Sequence, residues 1–283
     1  MTTMNPIPRL CIVAILSLAA SAQAAEWSDT SLSYRYGSDF AEPFIDNNIS
    51  KHIVNLSSVS GYQYGKNFFS VDFLLSSQDD PSSAGSHDGA HEAYAVYRHT
   101  LDLGKLSGTD LKFGPVRAVG VTAGFDVNTK TDAGYNSKKR MLVAGPTLMF
   151  DVPGFLDVSL LALRESNAPY NTFTNTATPR YTYKTHAMVS MAWGIPFNVG
   201  IPLSFEGYAN FIDSKGKDEF GGATKAETNI DLQIMYDISG AVGAAKNTFK
   251  VGLEYQYWKN KFGTSNAPGT TARTPMVRAE YHF

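Results

Sequence analysis

The chain's strongest constraint on its fold is a period-two alternation of apolar and polar residues. In segment 249–258, Phe249, Val251 and Leu253 alternate with Lys250 and Glu254. A period of two places each set on its own face of a β-strand. The alternation recurs in most apolar segments, in which Gly and β-branched residues are frequent, so amphipathic helices are a poor alternative.

Twelve segments carry this pattern. Together with the export signal, the aromatic residues near strand ends and the terminal strand described below, they predict a single antiparallel transmembrane β-barrel of about twelve strands. The links after odd-numbered strands are long and polar, whereas those after even-numbered strands are mostly shorter. The link at 100–115 is the exception, which leaves ten and fourteen strands open as alternatives. The predicted strands lie at 31–36, 52–64, 68–75, 92–99, 119–128, 142–150, 156–162, 183–193, 203–211, 230–237, 249–258 and 276–283.

Alternation alone does not say which face points inward, since soluble barrels and sandwiches bury the apolar face. The N-terminus favours export: an apolar run at 10–20 precedes Ala22-Gln23-Ala24, a small-x-small cleavage pattern. The run is too short for a membrane anchor, which needs about 20 apolar residues. We expect a signal peptide at 1–24 and one barrel domain at 25–283. The aromatic content of 12%, concentrated near predicted strand ends, also fits interfacial girdles.

The strand at 276–283 alternates up to Phe283 and carries Tyr281 two residues earlier. It resembles the C-terminal strand of outer-membrane β-barrels, whose terminal aromatic residue is read by the insertion machinery. The resemblance implies a location in the bacterial outer membrane and contact with its lipid and lipopolysaccharide. It also implies recognition of the chain by the insertion machinery through Phe283.

Composition excludes several functions. Cys11 is the only cysteine and lies in the predicted signal peptide, so residues 25–283 have no disulfide, cysteine metal site or cysteine nucleophile. The formal net charge is −2 and no basic block occurs, which gives nucleic-acid binding no electrostatic support. No motif indicates a cofactor.

Three further segments resemble the Tsx/OmpK group of nucleoside-specific outer-membrane channels. They are WSDTSLSYRYG at 27–37, KHIVNL at 51–56 and YGKNFFSVD at 64–72. The resemblance implies a monomeric, narrow channel that passes nucleosides and similar small solutes. Some relatives also serve as phage receptors through their external loops.

If the polar faces line a lumen, its charges have both signs, which suits a neutral polar solute better than one type of ion. Inward aromatic rings could stack on nucleobases. The alternative is that the charges form ion-pair networks that only fill and stiffen the barrel. The candidate pore-lining and substrate-binding residues are Arg35, Phe68, Asp72, Glu92, Tyr94, Arg98, Asp126, Lys184, His186, Glu206, Tyr208, Asp231, Gln233, Glu254, Trp258, Arg278 and Glu280.

Other functions have weaker support. His87 and His91 lie in a polar loop, where nothing holds them on one face as a metal site requires. A solvated turn is the favoured interpretation of Asp79-Asp80. An outer-membrane hydrolase would pair His186 or His282 with Ser190 or Glu280, but no G-x-S-x-G motif is present. We therefore expect a passive channel rather than an enzyme. A structural or adhesion barrel without an open pore is the main alternative.

Overall fold

Twelve long strands dominate the computed structural model, which describes residues 25–171 and 176–283. Short helices lie at α1 (Leu103–Ser107), Ser239–Val242 and Lys261–Gly263. The long strands are β1 (Trp27–Phe40), β2 (Ile49–Tyr62), β3 (Gly65–Ser76), β4 (His91–Asp102), β5 (Val116–Lys130), β6 (Arg140–Phe150), β7 (Phe155–Asn167), β8 (His186–Asn198), β9 (Pro202–Ile212), β10 (Glu227–Asp237), β11 (Phe249–Lys259) and β12 (Thr271–His282).

The twelve strands form one closed antiparallel barrel. Each strand pairs with the next along the chain, and β1 pairs with β12 from Ser31 opposite His282 to Gly37 opposite Met276. Closure leaves neither β1 nor β12 as a free sheet edge. The predicted fold class and strand count are confirmed, and the alternatives of ten and fourteen strands are excluded.

The connections divide the barrel into two ends. The loop end carries L1 (41–48), L2 (77–90), L3 (131–139), L4 (168–185), L5 (213–226) and L6 (260–270), and the turn end carries the other five connections. Most turns are short, but 103–115 contains helix α1. Asp102 caps this helix by accepting a 3.1 Å hydrogen bond from the Lys105 amide, and Gly108 ends it at a φ of 69°. The long link at 100–115 is thus a helical connection and contains no extra strand of the barrel.

The apolar face of the strands points outward. On β11, Leu253 is 70% exposed, whereas its neighbour Glu254 is 3% exposed and faces the interior. The same alternation on β1 exposes Leu32 and Tyr34 and buries Arg35. The barrel thus presents apolar side chains to its surroundings and polar ones to its lumen, as in transmembrane barrels.

The start of β8 departs from the predicted alternation. Tyr183 was expected to face lipid and Lys184 the lumen, but β8 begins only at His186. Residues 183–185 lie outside the strand, so the alternation slips: Tyr183 is buried and Lys184 is exposed. Lys184 therefore belongs to L4 and does not extend the polar face of β8.

Two inward patches are apolar, although the sequence pattern predicted a polar lumen. One lies on β1, β2 and β12 near the loop end, and the other lies on β6, β7 and β8. The first patch consists of Phe40, Ile49, Ile53 and Met276, and the second consists of Val143, Leu161, Leu163 and Met188. Within each patch the side chains pack against one another.

The predicted signal peptide at 1–24 lies outside the described residues. Within 25–171 and 176–283, no helix has the length and apolarity needed to cross a membrane.

Leu253→Arg tests the orientation of the two faces. Arginine at the lipid midplane costs about 2–4 kcal/mol, so the variant should fold poorly into lipid vesicles. Gln256→Lys on the inward face of β11, beside Asp231, should fold normally, as should the control Leu253→Met. The folded fraction can be measured by circular dichroism and protease resistance. Equal folding of Leu253→Arg and Gln256→Lys would contradict the assignment.

Candidate functional site

A chain of ion pairs crosses the lumen wall from β3 to β12. Arg35 contacts Asp72 with one guanidinium nitrogen and donates from the other to Glu254 Oε1 at 3.0 Å. Glu254 Oε2 accepts from Arg278 at 2.8 Å, and Arg278 Nε donates to Glu280 at 2.5 Å. This central network alternates cations and anions, which cancels most of the local charge.

The central network continues to the turn end. His282 contacts Glu280 at 3.1 Å through Nε2 and Asp29 at 2.8 Å through Nδ1. Register pairing brings β1 and β12 side by side here, so Asp29 and His282 lie close although they are far apart in sequence. The closing pair of strands is therefore also joined by side-chain contacts.

A second polar group lines β4 and β5. Arg98 pairs with Asp126, and the Tyr94 hydroxyl donates to Asp126 Oδ2 at 3.1 Å. Asn128 on the same face donates to Glu92 at 2.6 Å. These contacts hold the Tyr94 ring against the wall and fix its hydroxyl.

Tyr94 on β4 and Tyr208 on β9 face the lumen from different sides of the barrel. Their side chains are within range of a weak electrostatic interaction, and Tyr208 is also within electrostatic range of Asp72 and Arg35. Tyr208 is also directly opposite Asp231 in the pairing of β9 with β10. We call the region formed by Tyr94, Tyr208 and the flanking ion pairs the waist.

Nearer the turn end, a row of hydroxyl groups lines the inner face of β4 to β7. Thr100, Thr122, Thr147 and Ser159 form a continuous row with oxygen separations of 2.8, 2.6 and 2.8 Å. Each hydroxyl can donate once and accept twice, so the row satisfies its own members. The members of this row are polar but uncharged.

The loop end holds a buried group of lysines and carboxylates contributed by strands and loops. Glu42 in L1 accepts from Lys51 at 2.5 Å and from Lys261 at 2.9 Å. Asp80 in L2 accepts from Lys130 at 3.1 Å, and Lys130 also reaches Glu42 at 3.6 Å. With Asp132 at 2.7 Å from Lys130, the group contains three cations and three anions. We call it the lysine–carboxylate cluster.

Two of the three loop carboxylates in this cluster, Glu42 and Asp80, have pKa values shifted in opposite directions. Burial raises the pKa of Glu42, but Lys130, Lys261 and Lys51 lower it more, so the result lies well below the ordinary value. Burial raises the pKa of Asp80 above its ordinary value despite Lys130 and Lys51. Glu42 is therefore the anion on which the cluster's charge balance chiefly depends.

A second buried group lies across the loop end, between L3, L5 and β7. Lys215 binds both carboxylate oxygens of Glu165 at 2.9 Å. Glu219 accepts from the hydroxyls of Tyr135, at 2.5 Å, and Tyr183. L3, L4 and L5 are thereby tied to the barrel wall and to each other.

Phe262 in L6 connects the two buried groups. Its ring lies 5.3 Å from that of Trp258 and 6.2 Å from that of Tyr135, and Lys139 Nζ sits 3.6 Å from its centroid. Gly269 allows L6 to pack on L1, because a Cβ there would come within 1.8 Å of the Glu42 carbonyl oxygen. We call the loop residues of these two buried groups, together with Phe262, the loop-end seal.

The structure brings most predicted lumen residues into these networks. Glu206 accepts from Gln233 at 3.3 Å and from Lys250 at 3.2 Å, and Trp258 donates to Glu227 at 2.5 Å. Phe68 faces the lumen and is 41% exposed. The residues held in direct side-chain contacts within the barrel are Arg35, Asp72, Glu92, Tyr94, Arg98, Asp126, Glu206, Asp231, Gln233, Glu254, Trp258, Arg278 and Glu280.

Two predicted lumen residues, Lys184 and His186, lie outside these networks. Lys184 is exposed in L4, as described above. His186 is buried and donates from Nδ1 to the Lys184 carbonyl at 2.9 Å. Ser190 donates to Asn210 at 2.7 Å, so it does not pair with His186 as a hydrolase would require.

The sequence interpretation missed the loop residues that build the seal. Asp80, expected in a solvated turn, is fully buried beside Lys130, whereas Asp79 remains exposed. One sequence signal could have revealed these loop carboxylates: Lys51 and Lys130 face inward at the ends of their strands, and buried lysines need nearby anions. Across the described part of the chain, no group of three His, Cys, Asp or Glu side chains could hold a metal ion.

Comparison with known proteins found no matching family model and no matching curated sequence. Similar solved structures include the translocator domain of the autotransporter NalP from Neisseria meningitidis, at 11% identity and a TM-score of 0.46, covering 96% of each chain. An outer membrane channel from Pseudomonas putida F1 has 10% identity and a TM-score of 0.48, covering 90% of this chain and 95% of its own. The KdgM porin has 10% identity and a TM-score of 0.41, with coverages of 89% and 99%. Similarity at this level carries no argument about function.

Glu42→Gln tests the lysine–carboxylate cluster. Removing the anion that Lys51, Lys130 and Lys261 share should lower the free energy of unfolding by about 3–5 kcal/mol at pH 7. Asp46→Asn, an exposed change in the same loop, should leave it unchanged. Denaturant unfolding in lipid vesicles measures both variants. Equal stability of Glu42→Gln and wild type would contradict the role of the cluster.

The free energy of unfolding contributed by Glu42 should also depend on pH. Because the folded-state pKa of Glu42 is depressed, its stabilisation is present above about pH 4.5 and is lost as pH falls through the folded-state pKa. The pKa of Asp80 is raised in the folded protein, so ionisation of Asp80 lowers the stability and protonation at acidic pH restores it. The difference between wild type and Glu42→Gln isolates Glu42 and should shrink with acidification. A difference that stays constant well below pH 4.5 would contradict the assignment.

Proposed function

We propose that the protein is a passive outer-membrane channel for nucleosides or similar small polar solutes. The observation that carries this proposal is the waist, where Tyr94 and Tyr208 face the lumen among ion pairs inside a barrel with an apolar exterior. The apolar exterior supports a membrane location, and the long loops support a loop end that faces outward from the cell. Weak binding at several polar positions suits permeation better than one tight site.

The waist also supports the solute class. Its cations and anions are paired, so it presents little net charge to attract one type of ion. Aromatic rings stack on every nucleobase because each base has a π-face, and this stacking contributes about 1–3 kcal/mol per base. Paired guanidinium and carboxylate groups nearby can bind ribose hydroxyls. The resemblance of residues 27–37, 51–56 and 64–72 to nucleoside-specific channels points to the same class.

A barrel without an open pore is the second candidate. The loop-end seal favours it, because Lys51, Lys261 and Phe262 bring loops and strands together across one end of the lumen. Such a barrel would use its loops for adhesion or as a receptor surface, including one for phage. The two candidates differ in one measurable property, the conductance.

Single-channel recording in planar bilayers separates the two candidates. The channel proposal predicts small, discrete conductance steps that adenosine or thymidine reduces. Tyr208→Leu should weaken the effect of adenosine by about 5- to 100-fold through lost stacking. In the control Tyr34→Leu, on the outer wall, adenosine should reduce the conductance as much as it does in wild type. Absence of conductance from protein shown to be folded would favour the closed barrel.

Phe262→Ala tests whether the seal limits conduction. Removing the ring that joins Trp258, Tyr135 and Lys139 should loosen the loop end and raise the conductance. Phe220→Ala removes an exposed ring from L5 and serves as the matched control. An unchanged conductance in Phe262→Ala would show that the narrowest point lies elsewhere, as at the waist.

A further inference from the structure

Three arginines cluster on the outer wall of β6 and β7 at the loop end. Arg140 is opposite Ser166 in the strand pairing, and Arg164 is opposite Leu142. Arg180 of L4 donates to Ser166 Oγ at 3.1 Å, which places its guanidinium beside Arg140. All three side chains are exposed. We call Arg140, Arg164 and Arg180 the arginine patch.

The arginine patch lacks the compensation that every lumen network has. No carboxylate in the described part of the chain lies within 4.0 Å of any of the three guanidinium groups. The nearby acids Asp132 and Glu165 point inward and bind Lys130 and Lys215. Residues 168–185 contain no Asp or Glu at all, so L4 supplies no anion to the patch.

The positive charges of Arg140 and Arg180 repel each other. Partial burial and the positive charge of Arg140 lower the pKa of the Arg180 guanidinium from its ordinary value. Two guanidinium groups held together without a counter-charge favour an anion with several acceptor oxygens. A phosphate fits this requirement, because arginine binds it with paired, charge-assisted hydrogen bonds.

The wall below the patch is apolar. Leu142 and Leu160 are 63% and 55% exposed. Between them Ala144 and Ala162 lie opposite each other on β6 and β7, and both are exposed. These four residues form a continuous apolar strip along the barrel wall below the guanidinium groups, which we call the apolar strip.

We propose that the arginine patch and the apolar strip bind a phosphorylated glycolipid of the lipid A type. The guanidinium groups would hold its phosphates, and its acyl chains would lie along Ala144 and Ala162. Charge complementarity and the continuous apolar wall support this occupant over a soluble phosphate. The proposal rests on the proposed outer-membrane location, with the loop end in the leaflet that contains such lipids.

Native mass spectrometry of the detergent-solubilised full chain, titrated with lipid A, tests the site. Wild type should retain one lipid A molecule at concentrations at which R140Q/R164Q/R180Q does not. Loss of three charge-assisted contacts should weaken binding at least about tenfold. The matched control K105Q/K112Q/K246Q removes three exposed positive charges at the turn end and should bind as wild type.

Competing lipids complete the test. Dephosphorylated lipid A should bind about as weakly to wild type as lipid A binds to the triple Arg variant. Equal binding of lipid A to wild type and R140Q/R164Q/R180Q would overturn the site. Equal binding of phosphatidylglycerol and lipid A to wild type would overturn the choice of occupant. Because the readout is lipid binding, the result is independent of conductance, so a closed barrel could retain the site and an open channel could lack it.

Discussion

Pairing of β1 with β12 is the constraint on which the rest of the structure depends. Inside lipid, every backbone N–H and C=O must find a partner in the protein, and only closure removes the unpaired edges of a sheet. Once the barrel is closed, each strand has one face toward lipid and one toward the lumen. The alternation in the sequence then decides both surfaces together, since a one-residue slip would exchange them.

A closed lumen creates a second requirement, because polar groups deprived of bulk water must bind each other. The central network and the hydroxyl row meet it with contacts between strands, and the lysine–carboxylate cluster meets it with contacts between strands and loops. Buried ion pairs contribute little net stability, but losing one partner is costly. Their effect is therefore to fix the shape of the lumen, and the waist between Tyr94 and Tyr208 depends on the pairs around it.

The sequence predicted those features that follow from local patterning. Twelve strands, their faces and most lumen residues could be predicted because period two is visible within ten residues. The loop-end seal could not, because Asp80 and Phe262 acquire their contacts from distant strands and loops. Lys184 was misplaced for a related reason: β8 starts later than its alternation suggests, since Tyr183 turns inward to bind Glu219. The apolar lumen patches depend likewise on the pairing of separate strands.

Spin-label accessibility along β11 tests the two-faced closed barrel most directly. Residues 25–283 contain no cysteine, so single cysteines at 250–256 can each carry one label in lipid vesicles. Labels at 251, 253 and 255 should be relaxed strongly by lipid-soluble oxygen, whereas labels at 250, 252, 254 and 256 should not. The opposite phase, or no alternation at all, would contradict a barrel whose polar face lines a lumen.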